Sequence, residues 1–145
     1  MREGMELPLR VLVSAVVVGL TVPAIMSGLA AYETQQMAVR AQQAIEAIVR
    51  AAQAFYVAGG GAEDVRIDLS GGVTAKVEYI TIGDRDGGPR APSAAYRVTG
   101  QTETFLLSDP PVPMCGGASA LRLGPGVHVV RVSYDGDGPV RLAVP

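Results

Sequence analysis

From Val11 to Ala31 the chain runs VLVSAVVVGLTVPAIMSGLAA, 21 residues without an ionisable side chain. At ~1.5 Å of rise per residue a helix of that length spans roughly 30 Å, the thickness of a bilayer's hydrocarbon core. Arg2 and Arg10 precede the stretch and Glu33 is the first charge beyond it. The positive-inside bias therefore puts the N-terminus in the cytoplasm and everything after Tyr32 outside. The competing reading is a core helix of a soluble protein, but such helices seldom run this far without a charge. Pro23 has no N–H and its ring crowds the carbonyl of Gly19, which predicts a kink or local melting there. Membrane helices tolerate that feature.

The helical pattern continues past the apolar stretch. Ala38, Ala41, Ile45, Ile48, Ala52 and Phe55 recur at alternating spacings of three and four, which is one face of a helix. Gln35, Gln36, Arg40, Gln42, Gln43, Glu46, Arg50 and Gln53 supply the polar faces. Gly59, Gly60 and Gly61 end the element, because glycine favours the left-handed terminus of a helix. The simplest inference is one rod of about fifty residues, roughly 75 Å long. Its first half is apolar all round; its second half is amphipathic, with Ile45, Ile48, Ala52 and Phe55 expected to pack against whatever follows.

After the glycines the periodicity changes to two. Val65, Ile67 and Leu69 alternate with Arg66 and Asp68, and Gly71-Gly72 separates them from Val73, Val77, Tyr79, Ile80 and Ile82, which predicts a first hairpin. Further strands are expected at 94–99, 103–107, 120–123, 127–134 and 140–144, between Asp-, Gly- and Pro-rich turns. Ser108 to Gly117, SDPPVPMCGG, carries three prolines and is expected as an extended, exposed loop covering a sheet edge. The predicted fold class is α+β: a long N-terminal helix, transmembrane then amphipathic, packed on a C-terminal antiparallel β-sandwich or curled sheet. Phe55 and Tyr56 are the natural seam.

Several function classes have little support. A net charge of −2, from 14 acidic and 12 basic side chains, gives no electrostatic footprint for nucleic acid. Asp135-Gly136-Asp137-Gly138 and the glycine-flanked Asp84 and Asp86 resemble fragments of a calcium loop, but Asp-Gly is also a strong turn signal and the terminal Glu ligand is missing. No metal or cofactor is expected. His128 is the one histidine and shares a strand face with Val130, Val132 and Tyr134, and Cys115 is the one thiol, flanked by Met114 and two glycines with no activating neighbour. There is no G-x-S-x-G, Walker loop or metal-spaced His/Cys cluster. An enzyme is not expected.

The short charged start Met1-Arg2-Glu3-Gly4, followed by Met5-Glu6-Leu7-Pro8 and the apolar run, resembles the class III signal of type IV prepilins and archaeal pilin-like proteins. The resemblance implies cleavage by a prepilin-type peptidase between Gly4 and Met5. The regions would then be a leader at 1–4, a helix at 5–58 with its apolar span at 11–31, and a β-domain at 62–145. Bacterial members carry a glutamate soon after the cut that neutralises a neighbour's new amino terminus; Glu6 is the nearest match. Gly19 and Pro23 are similar to the helix-melting residues of such subunits. The resemblance also implies self-assembly into a helical filament through the N-terminal helix, with the β-domain outside the cell membrane. Two readings compete with it. In one, the uncleaved span anchors a surface β-domain that binds a partner or an envelope polymer. In the other, signal peptidase cuts after Ala30 and releases a secreted binding domain.

Overall fold

The computed structural model describes residues 2–145, with side chains from Pro8 onward. One helix, α1, occupies Arg2–Ala58 without a break. It passes through Pro8 and Pro23, so the backbone at Pro23 stays helical instead of melting. The missing Pro23 N–H deletes one bond of a 57-residue ladder, and the turns on either side hold the backbone in register. The helix ends as its glycines require. Gly59 takes a left-handed φ of 84°, and the N–H groups of Gly59 and Gly60 both donate to the Phe55 carbonyl, at 2.9 and 3.1 Å. The second of these is the six-to-one bond of a Schellman terminus.

Eight strands follow: β1 (Gly61–Asp68), β2 (Val77–Ile82), β3 (Ser93–Val98), β4 (Thr104–Leu107), β5 (Met114–Cys115), β6 (Leu121–Leu123), β7 (Val127–Tyr134) and β8 (Val140–Ala143). They form two four-stranded sheets, ordered β1-β7-β8-β5 and β4-β3-β2-β6. Every pairing is antiparallel except β5 with β8. A bridge from Asp84 to Cys115 ties the end of β2 to β5 and so joins the two sheets at one side. The second half of α1 lies across both, touching β1, β7 and β8 of one and β2 and β3 of the other. This α+β arrangement fits a pilin-like description.

One core unites the three layers. Met37, Ala41, Ala44, Ile45, Ile48 and Ala52 from α1 cluster with Ile67, Leu69, Val77, Ile80, Val98, Met114, Val130, Val132, Val140 and Leu142. Phe55 and Ala38 flank it, partly buried. The alternation along β2, β7 and β8 follows from this geometry, since successive side chains of a strand point to opposite faces and only one face meets α1 or the other sheet.

Two expectations are corrected. β1 and β2 do not form a hairpin: β1 pairs with β7 from Gly61–Tyr134 to Asp68–Val127, whereas β2 lies in the other sheet between β3 and β6. Gly71-Gly72 is a crossing between sheets, and the loop it opens is drawn to Glu33 on the helix instead of turning back on itself. The Pro-rich segment does lie at a sheet edge, but it is exposed only in part, at Asp109, Pro110, Pro111 and Gly117. Ser108, Val112, Met114 and Cys115 are buried, and Met114–Cys115 is the edge strand β5. The prolines keep it to two paired residues at an edge, as missing N–H groups should, but its apolar side chains still fill the core.

Candidate functional site

The structure concentrates its distinctive features along α1. From Leu9 to Leu29 the large apolar side chains are exposed, Leu20 at 72% and Val11 at 64%. The stretch is long and apolar enough to cross a membrane, and none of it is buried inside the fold. Polar groups near it are satisfied within the helix: the Thr21 hydroxyl donates to the Val17 carbonyl at 2.5 Å and Thr34 to Ala30 at 2.8 Å. A span in hydrocarbon needs that internal satisfaction, because lipid offers no partners. Gly19 has no heavy atom within 4 Å of where a Cβ would stand, leaving an open notch one turn before Pro23. Of the positions expected to serve processing and assembly, Gly4, Met5 and Glu6 lie outside the residues described with side chains.

Beyond the span the helix changes partners. Ile45, Ile48 and Ala52 are almost wholly buried, and the Phe55 ring covers Gly61, where a Cβ would stand 2.3 Å from Phe55 Cδ1. Tyr56 stacks obliquely on Tyr134 with ring centroids 5.3 Å apart. Polar ties reinforce the seam: Gln42 Nε2 donates to the Tyr96 hydroxyl at 2.8 Å, and Arg40 Nη1 to the Ser70 carbonyl at 2.9 Å.

The most concentrated polar contact is one that periodicity could not reveal. Glu33, two residues past the apolar span, accepts hydrogen bonds from the backbone N–H groups of Val73 (3.4 Å), Thr74 (2.6 Å) and Ala75 (3.2 Å), and from the Thr74 hydroxyl. The Thr74 hydroxyl, then its N–H, holds the Glu33 carboxyl below the ordinary glutamate range. Gly72 sits against the same carboxylate: a Cβ there would stand 2.9 Å from Oε2. The only sequence signal was the position of Glu33 as the first charge after the span. Its partners come from a loop 40 residues away.

The remaining candidates resolve into structure. Asp84 accepts from the N–H groups of Arg85 at 2.7 Å and Arg90 at 3.0 Å, and the bonds from Arg90 and then Arg85 lower its pKa. It organises the turn after β2. Asp135 to Gly138 joins the paired strands β7 and β8, with Gly136 and Gly138 in left-handed conformations. Among the described residues no three His, Cys, Asp or Glu side chains stand close enough to hold a metal ion. His128 is half-buried and bonds through Nε2 to the Gly124 carbonyl at 2.8 Å. Buried Cys115 accepts from the Gly117 N–H at 3.2 Å. An open groove of about 310 Å³ runs between α1 and β4, with Ile45, Val49, Leu106 and Met114 on its floor and Glu46, Arg50 and Asp109 at its rim. Beside it β4 is the free edge of its sheet, with Phe105 and Leu107 exposed.

No protein-family model, curated protein or solved structure matches the chain. The functional reading therefore rests on α1 and on what each of its halves presents.

Proposed function

We propose that the chain is a structural subunit of a type IV pilus-like filament or pseudopilus, inserted in the cell membrane by residues 11–31 before assembly. The observation that carries this reading is the continuity of α1: one unbroken helix whose first half exposes apolar side chains on all sides and whose second half is the spine of a β-domain. A plain anchor needs only a span and a linker. A filament subunit needs a rigid rod that exchanges lipid for the helices of neighbouring copies, with the domain held at a fixed distance from that packing surface. Small residues at Ala15, Gly19, Ser27 and Gly28 permit close helix approach. The β-domain lies outside the cytoplasm, and a prepilin-type peptidase cuts between Gly4 and Met5.

N-terminal sequencing and intact mass of the protein from native membranes test the reading. A mature chain starting at Met5, together with filaments containing it in sheared surface material, is expected. A start at Met1 with no filament favours an anchored surface protein, and a start at Ala31 excludes the filament route.

A further inference from the structure

The lower end of the β-domain reaches the level at which the apolar span stops. Glu33 lies two residues beyond Ala31, a rise of about 3 Å, and its carboxylate is bonded directly to Val73, Thr74 and Ala75. Gln101 and Thr102 of the β3–β4 turn line a cleft with Ala31, Thr34 and Gln35 of the helix. The two loops are tied together, with Lys76 N donating to Thr99 Oγ1 at 3.3 Å and Thr99 N to the Lys76 carbonyl at 3.0 Å. At the tip of the first loop Val73 is 92% exposed, the most exposed large apolar side chain among the described residues. Tyr32, exposed at 60%, directly precedes Glu33 on the helix.

We propose that this end of the domain, the loop Gly71–Lys76 together with Tyr32 at the end of the span, is a lipid-contacting surface that seats the β-domain on the headgroup layer of the membrane crossed by residues 11–31. The inference rests on the reading of that stretch as a membrane span and extends it to the folded domain. Continuity with the span decides the occupant. A carboxylate bonded to three successive amides fixes the loop in height, so Val73 cannot leave the interface while α1 remains inserted. Aromatic side chains with a polar end, such as Tyr32, favour that zone. Val73 gives up little by burial among headgroups and gains the transfer of its apolar surface out of water. A single Lys76, with Glu33 already engaged, makes the contact one that zwitterionic lipid supports.

The chain has no tryptophan, so each single substitution creates one fluorescent reporter in the full-length protein. V73W, L20W in the span and V57W at the far end of α1 are reconstituted in phosphatidylcholine vesicles with and without brominated lipids. The acyl chains are brominated near the headgroup end for V73W and V57W, and near the methyl end for L20W, which lies at mid-span. V73W is expected to emit at shorter wavelength than V57W and to be quenched by the brominated lipid, whereas V57W stays water-like and unquenched. Adding E33A to V73W is expected to reduce that quenching, because the loop loses its fixed height; unchanged quenching overturns the role given to Glu33. If L20W is quenched and V73W behaves like V57W, the seating surface is wrong and the span stands. Blue-shifted V73W emission that ignores brominated lipid and fades on dilution assigns the loop to a second copy and overturns the proposal. An unquenched L20W removes the span and the inference with it.

Discussion

Glu33 ties the helix to the β-domain through hydrogen bonds that only its ionised form accepts in full. Its pKa is lowered in the folded protein, so the unfolded chain binds the proton first as pH falls. The stabilisation is present above the ordinary value of about 4.5 and is lost as pH drops through the depressed folded value. Hydrogen exchange at the Thr74 and Ala75 amides, referred to that of core amides, is expected to accelerate over that acidic window, and E33Q is expected to remove the pH dependence. The two glycines at the helix exit separate conformational strain from collision. Gly59 has a left-handed φ of 84° with open space around it, so G59A should cost about 1 kcal/mol through backbone strain alone. Gly61 has a φ of 144° and the Phe55 ring against it, so G61A must also displace that ring and should cost about 2–4 kcal/mol. Denaturant midpoints of the two variants in detergent check the ordering.

At the scale of the element, α1 is two helices in one in terms of what each substitution does. Ile48 is fully buried against the β-domain, and I48A is expected to cost about 2–5 kcal/mol in thermal or denaturant unfolding. Removing an equal volume from exposed Leu20 in L20A is expected to leave the β-domain's unfolding within about 0.5 kcal/mol. The stripe from Ala38 to Phe55 was legible because a helix repeats its buried face every three or four residues, and β7 and β8 because strands alternate. β1's partner was not legible. Its own turn glycines suggested β2, while the partner it takes, β7, begins at Val127 and is chosen by which faces meet α1. β5 was hidden for a similar reason: prolines describe the backbone of Ser108 to Gly117 correctly, but the burial of Val112 and Met114 depends on β8. The Glu33 contact is a pairing of one carboxylate with amides, which leaves no pattern in a sequence at all.

For the whole molecule, the core begins at Met37 and takes nothing from residues 8–31. A chain shortened to start at Tyr32 is therefore expected to fold in water with the melting transition of the full-length protein in detergent, read by near-ultraviolet circular dichroism. Loss of cooperative melting would mean that the span contributes to folding of the domain. Such a fragment keeps both points at which the domain grips the helix, Glu33 below and the Phe55–Gly61 exit above. Those two points have a mechanical meaning. The left-handed turn at Gly59 sends the chain back down the helix it has just left, so the stretch from Glu33 to Ala58 is splinted at both ends and along its length by two sheets. A bending load on the rod meets a stiffened beam in that outer portion. Flexure is displaced into the bare portion, where Pro23 has already removed one rung, and any curvature imposed on the chain is taken up there while the domain keeps its shape.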